Sequence, residues 1–405
     1  MQRHFKGKMW RKWWLFHATN CQSLMYPCFI FGRILGIFPY KINHSSLKAS
    51  KVYYIISTVI VCIVCILNML FAYNIIISNI TLGSITKNIE VVCFYTFCSI
   101  IMIITHVLSG PRMRLLQIIL KISLKLPPKS YQQLFRVIHI KDISSIIFTV
   151  IIIYVYFSKQ QVYDILGSLV LSIYSPLLVF QINMLYTNCI YILKVCFKNI
   201  NDNLAHMQRL VANNTKPCIP MLIHHQQRNQ LLLIELKNLK GHHQRVSDAV
   251  KMLNTFFSLQ LIATMILILS NITFELYFYI VRWHNGLRIT FDKYLVDTFL
   301  CCIMYHGILI TLLIWTCETC KNQAYQIRTT IHDLLNNTND EEIKDELHLF
   351  SLQILHHKGI FSTKGFPVDA TLLAAMVGSV TTYMLILIQF LIISHSCDKK
   401  SISHK

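Results

Sequence analysis

The sequence predicts an all-α membrane protein with seven transmembrane helices, a cytoplasmic N-terminus, an extracellular C-terminus and long intracellular helical segments. Three observations carry this. The 405 residues are 54% hydrophobic and only 14% charged, whereas soluble domains carry about a quarter charged residues, and mean hydropathy is +0.49. Uncharged windows long enough to cross a hydrocarbon layer as helices recur along the chain. The basic residues between those windows fall almost wholly in alternate segments.

Taken in order, the expected spans are 52–78, 91–110, 143–158, 165–193, 252–281, 298–317 and 370–394. The third is short and needs interfacial flanks. Pro176 is available to kink the fourth, and the fifth continues past Glu275. An earlier apolar piece, 23–40, contains Pro27, Arg33 and Pro39, which suits an interfacial or re-entrant segment better than a span. Before it, five cations among Trp10, Trp13 and Trp14 suit a membrane interface. The apolar stretch that follows is too interrupted for a cleaved signal peptide, so the chain is expected to be retained whole.

Of the 38 Lys and Arg residues, nine precede the first span, seven lie in 111–142, nine in 194–251 and five in 318–369. The alternate segments hold one, one, three and three. This split orients the chain with its N-terminus inside and accounts for the +20 net charge without a nucleic-acid partner. The sequon at Asn79 falls outside and agrees. Those at Asn43, Asn213 and Asn336 fall inside and would stay bare.

One membrane domain follows: an N-terminal cytoplasmic segment 1–51 with an interfacial helix, a helical domain 52–397, and a short external tail 398–405. The inner segments 194–251 and 318–369 read as helical. Pro217 and Pro220 divide the first, and Asn339-Asp340-Glu341-Glu342 starts a helix in the second. Ile343, Leu347, Phe350 and Ile354 then form an apolar stripe. Such a stripe packs either on helices of its own chain or between subunits.

No catalytic or metal-binding pattern emerges, and no cofactor or enzymatic activity is expected. HExxH, GxSxG and Walker loops are absent. The pairs His224-His225, His242-His243 and His356-His357 are adjacent residues, which on a helix point about 100° apart rather than converging on a metal. They read as polar residues on inner segments. Cys317 and Cys320 lack a second CxxC and read as structural, with juxtamembrane palmitoylation as the alternative. The other cysteines are scattered through apolar runs and describe no disulfide framework.

Polar and aromatic residues gather in the expected outer halves of spans three to six: Tyr154, Tyr156, Tyr174, Gln181, Asn271, Glu275, Tyr277, Tyr305 and His306. Aromatic walls with a few polar groups make a small-molecule pocket, although tyrosines at this depth also form an interfacial belt. Glu275 is the one carboxylate within a span, and an intramembrane acid is a functional candidate. In the last span, Gly378, Thr382, Leu385 and Gln389 share a helical face, with Tyr383 and Phe390 beside it. A small and polar stripe in hydrocarbon needs partners or water, so this helix is expected to line something wet.

Thr382-Tyr383, the five apolar residues 384–388 and Gln389-Phe390 resemble the signature of the insect gustatory receptors in full. Leu352-Gln353, Gly365-Phe366 and Val368-Asp369 also look like that family's approach to its last span, with Pro367 as a departure. Arg33-Ile34-Leu35-Gly36 and Pro39-Tyr40 are similar to its entry segment. The strong match covers roughly the last fifty residues. The resemblance implies a ligand-gated, non-selective cation channel, tetrameric as a homotetramer or with related subunits, in the plasma membrane of sensory dendrites. It implies that the seventh helix lines the pore, with Gln389 and Phe390 at the gate, and that a tastant pocket lies in each outer half. The tyrosine-rich cluster with a single acid favours bitter or plant-derived compounds, with sugars as the alternative. Odorant receptors share the architecture but differ in the last helix. A G-protein-coupled receptor would have its N-terminus outside, and a transporter would show paired broken spans.

Overall fold

The computed structural model describes residues 21–43, 46–77, 85–158, 166–212, 222–284, 293–356, 362–363 and 366–402, nearly all of them helical. The N-terminal tryptophans, the Asn79 and Asn213 sequons, Pro217 and Pro220 lie outside the described residues.

Helix α1 (Cys21–Ile34) buries Cys21, Leu24, Met25, Cys28 and Phe29 among the other helices. Gly36, at φ 71°, turns the chain back. There a Cβ would sit 3.0 Å from Ile60, so the reversal requires glycine. A hairpin follows, β1 (Tyr40–Asn43) with β2 (Ser46–Ala49), pairing Tyr40 with Ala49 and Ile42 with Leu47. This hairpin was not anticipated, because two four-residue strands inside a segment with irregular polarity leave no period to read.

Helix α2 (Lys51–Ile76) inverts the soluble pattern. Ile55, Ile56, Val59, Ile63 and Ile66 are exposed, while Ser57 and Asn68 are buried. Asn68 Nδ2 donates to Ser99 Oγ at 3.0 Å across to α3 (Ile85–Val107). Apolar faces outward and hydrogen-bonded polar groups inward are what a hydrocarbon solvent selects. The helix of the second span stops at Leu108, and α4 (Ser109–Ser123) begins with Pro111 in its first turn, where the missing N–H costs least.

The expected third span is the C-terminal half of a longer helix, α5 (Pro128–Ser158). The inner segments are largely continuous with the spans. Helix α6 (Leu166–Ala212) runs through Pro176, α7 (Leu222–His284) has 63 residues and α8 (Lys293–Asn337) has 45. At 1.5 Å per residue α7 is about 95 Å long, far more than the roughly 30 Å of a hydrocarbon core. Six helices among the described residues are long and apolar enough to cross a membrane; α5 is not among them.

Helix α9 (Glu341–His356) starts as anticipated, with Ile343 N–H donating to Asp340 Oδ1 at 3.2 Å. Its stripe Ile343, Leu347 and Phe350 is buried against the same chain, and Ile354 packs beside it. A two-residue hairpin, β3 (Ser362–Thr363) with β4 (Phe366–Pro367), leads to α10 (Ala370–Ile402). The main core lies at the basic end, formed by the long extensions of α6, α7 and α8 with α1, α4, α5 and α9. A smaller core joins α2, α3, α6 and α7 through Val61, Cys98, Ile101, Leu178 and Leu267.

The histidines correct one expectation. His242 and His243 are buried, not polar surface. His243 sits between the Phe197 and Phe350 rings, at 5.7 and 5.4 Å, and lies 3.2 Å from Gln353 Nε2. In a bundle of extended helices, a residue far from the membrane is still interior, and an imidazole fills that space while keeping a polar partner. The side chains of His224, His225 and His357 lie outside the described residues, and no group of three metal ligands occurs among those described. Cys317 and Cys320 are buried, so neither of these two thiols is accessible for acylation.

Burial, with Lys125 and Arg245 nearby, pushes His242 from 6.5 down to about 4, opposed in part by a hydrogen bond to the Ile122 backbone. The unfolded chain therefore binds the proton more readily, and stability is lost as pH falls from about 6.5 through about 4. Thermal unfolding of the purified protein should show this decline, and His242→Gln should flatten it. An identical slope in the variant would remove His242 as the cause.

Candidate functional site

Two regions concentrate the residues singled out from the sequence. The first is α10. Asp369 caps its start, accepting Thr371 N–H at 3.0 Å and the Thr371 hydroxyl, with Lys321 of α8 at 3.6 Å. The Thr371 hydroxyl holds the Asp369 carboxyl below its usual range against the opposing effect of burial, and Thr371 N–H and Lys321 add to it. The capped end is thereby tied to α8 at the basic end.

Beyond the cap, α10 is nearly bare. Only 6% of its span is buried inside the chain, against 83% for the most enclosed helix, α6. Leu372, Met376 and Met384 make its packing line. Gly378, Thr382, Leu385 and Gln389 are exposed on the opposite side of the helix, while Tyr383, seven residues from Met376 and so on its side, is also exposed at 53%. The side chain of Phe390 lies outside the described residues. Ser379, Thr381 and Thr382 each donate to the carbonyl four residues back, at 2.9 Å, so their hydroxyls need nothing from outside. Among the described residues Gln389 has no such partner.

The second region lies at the opposite end of the spans. Glu275 of α7 is buried and forms a 2.9 Å ion pair with Lys87 of α3, which also binds both oxygens of Glu90 at 2.9 and 3.0 Å. One turn further in, Asn271 Nδ2 lies 3.2 Å from His306 Nε2 of α8. The Tyr305 hydroxyl donates to the Pro176 carbonyl at 2.9 Å, bridging α8 to α6. Asn271, Glu275, Tyr305 and His306 are therefore brought together, with α3, α6, α7 and α8 each contributing.

The remaining expected residues do not join them. Tyr174 donates to the Leu35 carbonyl at 2.7 Å, and Gln181 to the Cys28 carbonyl at 2.8 Å, so both hold α1 and its following turn. Tyr154 stands 72% exposed. Tyr277 is half-buried, and the side chain of Tyr156 lies outside the described residues. Sequence reasoning missed Lys87 and Glu90, which fall where a loop was expected. A signal existed: a lone intramembrane acid calls for a cation, and Lys87 is the one basic residue of 79–90.

The profile of the 7tm chemosensory receptor family matches residues 25–393. Among curated proteins of Drosophila melanogaster, putative gustatory receptor 28a is 26% identical over 170 residues, 41% of this chain and 38% of the relative. Putative gustatory receptor 28b is 29% identical over 153 residues, covering 36% and 32%. The matches thus span well under half the length of these relatives. Putative gustatory receptor 2a is 60% identical over 42 residues, 10% of each chain. Among solved structures, the insect olfactory receptor OR5 from Machilis hrabei superposes with a TM-score of 0.68 at 12% identity, over 91% of this chain and 98% of that one. Its complex with eugenol gives a TM-score of 0.63 at 14% identity, with the same coverage.

The Asn271–His306 contact should behave as an interhelical hydrogen bond. Asn271→Leu and His306→Leu, singly and together, should give a coupling energy of about 0.5–2 kcal/mol in a thermal or denaturant double-mutant cycle. Additive effects would mean that the two side chains are merely adjacent.

Proposed function

The chain belongs to the 7tm chemosensory receptor family, and we propose that it works as a ligand-gated, non-selective cation channel of the plasma membrane, opened by small bitter or plant-derived tastants. Its family is one of receptors, not enzymes, and the six long apolar helices make it a multi-pass membrane protein.

The observation that carries the reading is the uncovered polar face of α10. A Gln amide turned to lipid would leave donors and an acceptor unsatisfied. Around a water-filled axis it is satisfied by water and by its equivalents on neighbouring subunits. Four copies of this chain, or this chain with related subunits, would bring that face to a common axis. In that assembly Thr382, Leu385 and Gln389 line the pore, and Gly378 lets helices approach closely. Phe390 stands beside Gln389 at the gate, and Tyr383 packs between helices. The alternation of basic residues supports a cytoplasmic position for the end with the main core, which sets Gln389 toward the outside.

The tastant pocket is assigned to the outer cluster of Asn271, Glu275, Tyr305 and His306, where polar groups converge from several helices among aromatic side chains. The olfactory receptor solved with eugenol supports a small organic molecule as the kind of ligand.

Whole-cell recording tests this reading. Cells expressing the chain should pass a cation current on exposure to a bitter plant compound, and it should persist when G-protein signalling is blocked. Gln389→Ala should change conductance or gating while surface expression stays near normal. A response abolished by the block would refute the channel, and unaltered currents in the variant would take Gln389 out of the pore.

A further inference from the structure

We propose that the buried ion cluster at Glu90 and Glu275 is the recognition point for a protonated amine, so that the tastants of this protein include cationic amines. The inference rests on the outer-cluster pocket proposed above and names the chemistry it selects. Lys87 lies between the two carboxylates, at 2.9–3.0 Å from each. Among the described residues it is the one cation within ion-pair distance of either acid. Two carboxylates and one ammonium leave one acid without a cation partner of its own, which a proton or an incoming ammonium can balance. The three side chains are only 13%, 11% and 6% exposed for Lys87, Glu90 and Glu275, so water compensates that acid poorly.

Lys87 itself displays how the site holds an ammonium: carboxylates on two sides and the Phe278 ring 5.7 Å away. Carboxylates with an aromatic face are the environment that recognises ammonium groups. A divalent metal would require more ligands than two acids provide.

A second observation extends the site inward. Asn271 lies four residues from Glu275 on the same face of α7. Opposite it, α8 brings Cys302 within electrostatic reach of both acids and His306 one turn further in. Asn271 and His306 are 5% and 3% exposed, and Asn271 Oδ1 and His306 Nδ1 have no partner. With Asn271 Nδ2 donating to His306 Nε2, the free Nδ1 carries the proton. One acceptor and one donor therefore await a ligand about one helical turn, roughly 6 Å, below the acids. A hydroxyl satisfies both. The ligand described is an amine carrying a hydroxyl at about that separation.

Tyramine, a protonated amine with a distant hydroxyl, and its uncharged analogue 4-propylphenol are suitable probes. Calorimetric titration into the full chain in lipid nanodiscs should show tyramine binding at least about tenfold tighter than 4-propylphenol. Glu90→Gln and Glu275→Gln should each weaken tyramine by about tenfold or more while leaving the neutral probe unchanged. Lys87→Met, which leaves both acids uncompensated, should strengthen tyramine, whereas a purely structural clamp would lose it. Tyramine binding no tighter than the neutral probe, or unaffected in both Gln variants, would overturn the site. Charge-dependent binding without a current would uphold the site and count against a channel formed by this chain alone. A tastant-evoked current with charge-blind binding would do the reverse.

Discussion

A polar group in hydrocarbon must find its partner within the protein or within water that the protein encloses, and the rest of this structure follows from that constraint. Helix α2 meets it by turning Asn68 onto Ser99 and its isoleucines outward. The serine and threonine hydroxyls of α10 meet it by bonding back to their own helix. Gln389 is too long to do so efficiently and is left on a bare face. A helix that buries so little against its own chain, with its polar side outward, is the element for which the proposed assembly supplies packing. The channel reading is the simplest arrangement that supplies both neighbours and water.

The same helices connect the two regions of interest. Helix α7 carries Asn271 and Glu275 at one end and packs against α10. Helix α8 carries Tyr305 and His306 and, further along, Lys321, which pairs with Asp369 at the start of α10. Both continue without a break into the main core at the basic end. A rearrangement around Glu275 and His306 therefore has two stiff elements through which to reach α10, neither of which relies on a flexible loop.

Much of this was legible in the amino-acid sequence because hydrocarbon imposes long, uncharged runs. Six of the seven expected spans fall on helices long and apolar enough to cross. The start of α9 and its Ile343, Leu347 and Phe350 stripe were also readable, from a capping aspartate and a helical period. Other features were not. The continuity of α6, α7 and α8 beyond the membrane carries no apolar run, since a helix in water can be polar on several faces. The burial of His242 and His243 depends on helices distant in sequence. Lys87 and Glu90 were read as loop because charges mark the ends of apolar windows, and only tertiary packing brings them to Glu275.

The most direct test of the central claim is cysteine accessibility along α10 during current recording. Thr382→Cys, Leu385→Cys and Gln389→Cys, and on the packed face Met376→Cys and Met384→Cys, would be treated with a water-soluble thiol reagent, with the unsubstituted protein as reference. A water-lined face predicts that modification alters current at the first three positions and leaves the last two unchanged. Modification confined to Met376 and Met384, or equal at all five positions, would contradict it.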